Sequence, residues 1–220
     1  MSVAAIAHFH YTLPDSPYAM WVRGELADHL HLPKNMRVEV IGGEIVVSPA
    51  PVFEHAGIIA TIQRVIDVRG VTDPEFPWRT MQNLGLDVVE FGDGYIPDLQ
   101  VFHVDTERQA WSERPAFLVP HQVELVVEVT SKSNANNDRV PVAGRRATST
   151  KWNGYARAGI GHYLLVDRDP KQACITLYGN PDRFAGRYEE LLSWKFGEPV
   201  RLPEPFGFEF RTDLWRPWED

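Results

Sequence analysis

Two carboxylates sit inside runs that otherwise read as buried β-strands: Asp98 in Tyr95-Ile-Pro-Asp98-Leu-Gln-Val, and Glu128 in Val123-Glu-Leu-Val-Val-Glu128-Val. An ionised carboxylate in apolar surroundings is costly unless a cation compensates it. If strand pairing sets the two side by side they repel, and one pKa rises. A divalent cation relieves both problems, because hard Mg²⁺ is held by carboxylate oxygens and retained waters. The pattern therefore asks for a metal, and a metal on two acidic strands suggests hydrolysis. The plainer alternatives are a strand-end Asp98 in a turn and a buried Glu128 paired with an arginine or lysine.

The chain has 220 residues, enough for one domain with a sizeable core. Residues 1–35 read as an N-terminal extension and residues 36–220 as a single domain. No stretch has the apolar length of a membrane span, and no secretory pattern opens the chain. The single cysteine, Cys174, excludes an internal disulfide framework, fits a reducing cytoplasm, and reads as a small core hydrophobe within a strand. A net charge of −8 argues against a protein that coats nucleic acid electrostatically. It does not argue against a nuclease, whose positive potential can be local and partly supplied by a metal.

The elements follow from periodicity. Trp21–Leu30 reads as a short helix. Met36–Ile41 and Glu44–Val47 flank Gly42-Gly43, a hairpin signal. Ile58, Ile59, Ile62, Val65 and Ile66 recur at helical spacing between His55 and Val68. Leu84–Phe91 and Tyr95–Val104 suggest a second hairpin, and Thr106–His121 a polar connection. Leu125–Val129 is the most continuous apolar strand, hence central. After a polar loop over Lys132–Thr150, a helix over Lys151–Ala158 stops at Gly159. His162–Asp167, Ala173–Tyr178 and a further pair in the aromatic tail complete the strands. The order predicts an α/β fold with one mixed sheet flanked by helices and preceded by the hairpin.

Around Asp98 and Glu128, several residues are candidates for chemistry. Glu44, on the second hairpin strand, is a possible third carboxylate, and a solvent-facing hairpin residue fits it equally. His55 opens a helix, where a capping role competes with a supporting one. Lys151 begins a helix with Tyr155 one turn on, so both can face one site and the lysine can neutralise charge on phosphate. Lys132, just past the Glu128 strand, competes for that role. Arg139, Arg145 and Arg146 form a basic cluster able to grip DNA phosphates, or simply solvated. His8-Phe-His10 and His29-Leu-His31 have metal-compatible spacing without an evident third ligand.

Taken together, these residues resemble the Uma2 family, within the PD-(D/E)xK nuclease-like superfamily. The resemblance runs from about Arg37 to Tyr178. It is carried by Val38-Glu-Val-Ile-Gly-Gly-Glu-Ile-Val-Val-Ser-Pro-Ala-Pro, His55, Ile96-Pro-Asp98, Val126-Val-Glu128-Val-Thr-Ser, Asp138-Arg, Lys151-x3-Tyr155-Ala-Arg-Ala-Gly-Ile and Tyr163-Leu-Leu-Val-Asp167. It implies a restriction-endonuclease-like core, with Asp98 and Glu128 binding metal and a supporting acidic role for Glu44. Mg²⁺ (replaceable by Mn²⁺) as the metal and DNA as the substrate are the reading added to it. Where the superfamily pattern expects a lysine two residues after the glutamate, this chain has Thr130, and Lys151 is in the position to which the family's lysine has moved. The expectation is a metal-dependent DNA endonuclease, a twofold dimer if it cuts both strands. The alternative is a nucleic-acid- or protein-binding module that keeps the fold without turnover.

Overall fold

The computed structural model describes residues 13–142 and 149–219. Pro17–Val22 (α1) starts where the Ser16 hydroxyl accepts from the Ala19 N–H, with proline preset in the first turn. The single helix expected over Trp21–Leu30 is two pieces, because Gly24 takes φ +71° and ends α1 before Leu26–His29 (α2). Met20, Trp21, Leu26 and Leu30 pack on Val38 and Val40 of Arg37–Ile41 (β1). That strand turns through Gly42 (φ +60°) and Gly43 (φ +77°) into Glu44–Ser48 (β2). Two successive positive φ values are the geometry for which Gly-Gly is suited, and they set the register Ile41↔Glu44 and Glu39↔Val46.

The remaining strands divide between two larger sheets and a small separate pair, not the single sheet expected. Phe53–Thr72 (α3) leads to Trp78–Met81 (β3), then to Gly85–Val88 (β4) and Asp93–Tyr95 (β5). The second hairpin exists between β4 and β5, but the run Tyr95–Val104 is not one strand. It breaks at Ile96-Pro97-Asp98 and resumes as Leu99–His103 (β6) in the other sheet. Proline has no N–H for a ladder, so it belongs where the chain leaves one sheet for another. Val104–Glu113 (α4) follows inside the stretch expected to be a polar connection. It buries no residue, so no apolar stripe announced it.

Phe117–Leu118 (β7) completes a five-stranded sheet in the order β2-β1-β5-β4-β7. Leu125–Val129 (β8), then Ala135–Asp138 (α5) and Lys151–Ala158 (α6), precede His162–Asp167 (β9), Cys174–Asp182 (β10) and Arg187–Lys195 (β11). These give a six-stranded sheet ordered β11-β10-β9-β8-β6-β3, with β8 and β9 parallel and β6 antiparallel to β8. Val200–Arg201 (β12) and Glu209–Phe210 (β13) form a small separate pair. Cys174 is half-buried in β10, where burial raises its thiol pKa.

Strand alternation decides what each face of the six-stranded sheet holds. Leu125, Val127 and Val129 of β8 join Leu99 and Val101 of β6 against Ile58, Ile59, Ile62 and Ile66 of α3. Val126 and Phe102 point the other way, into a cluster with Trp152, Tyr155 and Ala156 of α6 and with Leu86 and Tyr95 of the first sheet. Glu128 shares the parity of Val126 and so faces α6 and the first sheet. No helix among the described residues is long and apolar enough to cross a membrane.

Close approach, not propensity, selects Gly154. A Cβ there would stand 2.1 Å from the Tyr95 hydroxyl, so α6 lies against β5 only because that atom is absent. By helix propensity alone, Gly154→Ala should stabilise by about 1 kcal/mol. We expect instead a net loss of about 1–3 kcal/mol from overpacking, read as a lower thermal midpoint. A midpoint equal to or above wild type would contradict this packing.

Candidate active site

Asp98 ends the connection between the sheets and enters β6 directly opposite Glu128, one step beyond the last paired residues, Leu99↔Val127. Antiparallel partners share a face, so both carboxyl groups point toward α6. Both are buried, at 3% and 2% exposure. From the first sheet, β1 presents Arg37, Glu39 and Ile41 by the same alternation to the cavity that Asp98 and Glu128 line. From above, α6 begins at Thr150, whose N–H is capped by Asn153 Oδ1 at 2.7 Å, and supplies Lys151 and Tyr155. Four chain segments distant in sequence thus converge on one polar centre.

Asp98 is heavily satisfied. Arg37 Nη1 donates to Oδ1 at 2.8 Å and the Val129 N–H to Oδ2 at 2.9 Å. His55 Nε2 lies 3.0 Å from Oδ2. Burial alone would raise the Asp98 pKa, but the His55 ring, Arg37 and Lys151 outweigh it and hold the carboxyl well below the usual range. Glu128 is different. Its Oε1 accepts from the Tyr155 hydroxyl at 2.6 Å and from Lys151 Nζ at 3.0 Å. Burial nevertheless dominates, and with Asp98 and Glu39 nearby it pushes the Glu128 pKa to about 7.

Lys151, 4% exposed, is the hub. Its Nζ contacts Glu39 Oε1 at 2.8 Å, Glu128 Oε1 at 3.0 Å and Asp138 Oδ1 at 3.9 Å. Burial would lower its pKa, but the surrounding carboxylates more than reverse that and keep the ammonium charged. Asp138, at the end of α5, is raised well above its ordinary range by burial and by Glu128, Asp98 and Glu39, despite Lys151. Four buried carboxyls thus surround two permanent cations, Arg37 and Lys151. A cavity of about 820 Å³ opens onto this cluster.

The site residues expected from sequence fall into three groups. Asp98, Glu128, Lys151, Tyr155 and His55 come together. Glu44 does not: the register sets it opposite Ile41, near the turn, where it is exposed. Glu39, two residues further from the turn on the same face, takes the buried place instead, accepting the Ile96 N–H at 2.7 Å. Its signal was the alternation Arg37, Glu39, Ile41, outweighed by the visible carboxylate at the hairpin turn. Arg139 is not available to grip DNA, because its fork holds Asp167 at 2.7 Å through both Nε and Nη2 and reaches Asp169 at 3.0 Å. Arg145, Arg146, His8 and His10 lie outside the described residues. Lys132 is exposed at the cavity rim, where Nζ donates to the Glu219 carbonyl at 3.2 Å.

Among the described residues, no three His, Cys, Asp or Glu side chains are grouped so that they alone could hold a metal ion. The donor chemistry nonetheless suits a hard cation that keeps most of its water and needs only one or two carboxylates. The buried carboxyls of Glu39, Asp98, Glu128 and Asp138 outnumber the fixed cations Arg37 and Lys151.

The Glu128 carboxyl sets a pH dependence of stability. A carboxyl whose pKa is higher in the folded chain holds its proton preferentially when folded. Its stabilising contribution is complete below the ordinary value of 4.5 and is lost as pH rises through about 7. Without divalent cations, folding stability should therefore fall between pH 5 and pH 8 by up to roughly 3 kcal/mol, read as a falling thermal midpoint. Glu128→Gln should flatten much of that fall and leave the variant at least as stable as wild type at pH 8. A steeper fall in the variant would show that Lys151 needs the Glu128 charge more than it suffers from it.

A model of the Uma2 family, described as "putative restriction endonuclease", matches residues 26–214. No curated protein matches the chain. The crystal structure of a "putative nuclease belonging to DUF820" from Anabaena variabilis superposes with a TM-score of 0.57 at 19% identity, covering 84% of this chain and 94% of that one. At that identity the likeness speaks for the fold, while the family match spans nearly the whole chain and includes every residue of the buried cluster. The chain belongs to the Uma2 family.

Proposed function

We propose that this chain hydrolyses phosphodiester bonds of DNA with the help of a divalent cation. The observation that carries the reading is the register: Asp98 and Glu128 face each other at the end of the β6–β8 ladder, inside a cluster with more carboxyls than cations. Asp98 and Glu128 would hold Mg²⁺ or Mn²⁺, with Glu39, in place of Glu44, as the outer acidic partner. A cation held there supplies Lewis-acid polarisation of a phosphate oxygen and a more acidic bound water.

The chain's own groups account for the rest. Arg37 and the Val129 N–H hold the Asp98 carboxylate ionised and oriented. The buried Lys151 ammonium stays charged, and there it would stabilise charge growing on the phosphate in the transition state. The Tyr155 hydroxyl fixes Glu128 Oε1, and Glu39 holds Nζ from the opposite side. Glu128, poised near neutrality, is suited to take up a proton at its carboxylate when no cation occupies the site.

One observation favours the rival reading, a binding module without turnover: Arg37 already neutralises Asp98 in the manner of a structural ion pair. Cleavage decides between them. Wild type should nick plasmid or single-stranded DNA with Mg²⁺ or Mn²⁺ and lose activity in EDTA, and Asp98→Ala should be inactive. Lys151→Met should lower kcat roughly a hundredfold or more with little change in DNA affinity, whereas Lys132→Met should at most cost about one phosphate contact. DNA binding without cleavage in any divalent metal would establish the rival.

A further inference from the structure

Arg168 lies immediately after β9, and its environment is unlike that of any other arginine near the site. Its chain neighbours Asp167 and Asp169 are both engaged by Arg139. Arg168 is 5% exposed and lines the same cavity as Asp98, Glu128 and Lys151. Among the described residues its guanidinium donates one hydrogen bond, from Nε to the Arg216 carbonyl at 3.2 Å, and pairs with no carboxylate at salt-bridge distance. Burial lowers its pKa, opposed only by the more distant charge of Glu54.

A buried guanidinium without a counter-ion is costly, and five donors in a planar fork match a phosphate. The backbone around it is pinned. The Arg168 N–H donates to Thr130 Oγ1 at 2.8 Å, and the Trp218 N–H to the Arg168 carbonyl at 3.0 Å. Thr130 occupies the place where the superfamily pattern expects a lysine, and here its hydroxyl anchors Arg168. Because β8 and β9 run parallel, Glu128 and Arg168 emerge at the same carboxyl ends of neighbouring strands, the usual location of ligand crevices in such sheets. Arg168 has the parity of Val166, which faces α3, so it lines the crevice from the sheet face opposite Glu128.

We propose that Arg168 is a phosphate-binding residue of the cleft, taking a phosphodiester of a nucleic-acid strand adjacent to the one at Asp98 and Glu128. The identity of the ligand as a polynucleotide rests on the hydrolytic reading above; the anion-binding role rests on Arg168 itself. Arg216, Pro217 and Trp218 form the wall that holds the fork in place, with Lys132 at the rim.

The test measures binding of a fluorescent single-stranded thymidylate octamer, in EDTA and again with Ca²⁺, across a salt series. Arg168→Gln keeps a donor for the Arg216 carbonyl but removes the charge. It should weaken binding roughly tenfold or more and reduce the salt slope by about 0.7, one phosphate contact on a single strand. Arg168→Lys should keep the slope and lie between the two in affinity. The wild-type Arg168 Nε–Hε resonance, which requires no variant to fold, should shift on addition of the octamer. Equal affinity and slope in Arg168→Gln, an unmoved resonance, or no octamer binding by wild type in either medium would overturn the proposal. Cleavage in Mg²⁺ is followed in parallel. Arg168-dependent binding without cleavage removes the hydrolytic reading and leaves this one standing, and cleavage with Arg168-independent binding does the reverse.

Discussion

The structure around the site depends on one buried ammonium. Lys151 Nζ ties Glu39 of the first sheet to Glu128 of the second, from a helix that packs on both. Removing the lysine from such a cluster would leave uncompensated buried carboxylates, typically a loss of about 3–5 kcal/mol. The two sheets are joined covalently nearby through Ile96-Pro97-Asp98, so the ion cluster and the chain crossing fix the same junction. Gly154 allows the helix to come that close, and the Thr150–Asn153 cap places Lys151 in its first turn.

The same cluster is electrically incomplete. Asp98 is held ionised, whereas Glu128 and Asp138 are pushed toward the neutral form, since two permanent cations cannot satisfy four carboxyls in a low-dielectric pocket. A core selected for stability alone would replace such a set with apolar side chains. Its retention is the kind of local conflict that marks a functional site. Positive charge is distributed with equal selectivity. Arg139 is committed to Asp167 and Asp169, while Arg168, one residue away and on the opposite side of the strand, is left facing the cleft. A chain with net charge −8 can thus present a cationic group where a phosphate would bind and remain acidic elsewhere.

Much of this was legible in the sequence wherever the signal is local. The Gly-Gly hairpin, the isoleucine stripe of α3, the α6 boundaries at Lys151 and Gly159, and the apolar run of β8 each follow from short-range periodicity or turn chemistry. Asp98 and Glu128 stood out because a carboxylate in an apolar strand conflicts with its surroundings. Helix α4 escaped because it buries nothing, and α1 and α2 were merged because one glycine between two amphipathic turns is a weak break.

Sequence by itself determined which residues carry the conflict: two carboxylates in apolar runs and a lysine opening a helix, since desolvation cost is a property of the local run. Only the tertiary structure decided which acidic residue joins them. Glu39 and Glu44 lie on the same face of one hairpin, and the register set by Gly42 and Gly43 buries the first and exposes the second. The fold also decided that Tyr95–Val104 is two strands in two sheets, and that Arg168, unremarkable in its own segment, is a buried cation facing the cleft. Each of these outcomes rests on long-range packing and on the competition of distant charges for the same few partners, which no local pattern encodes.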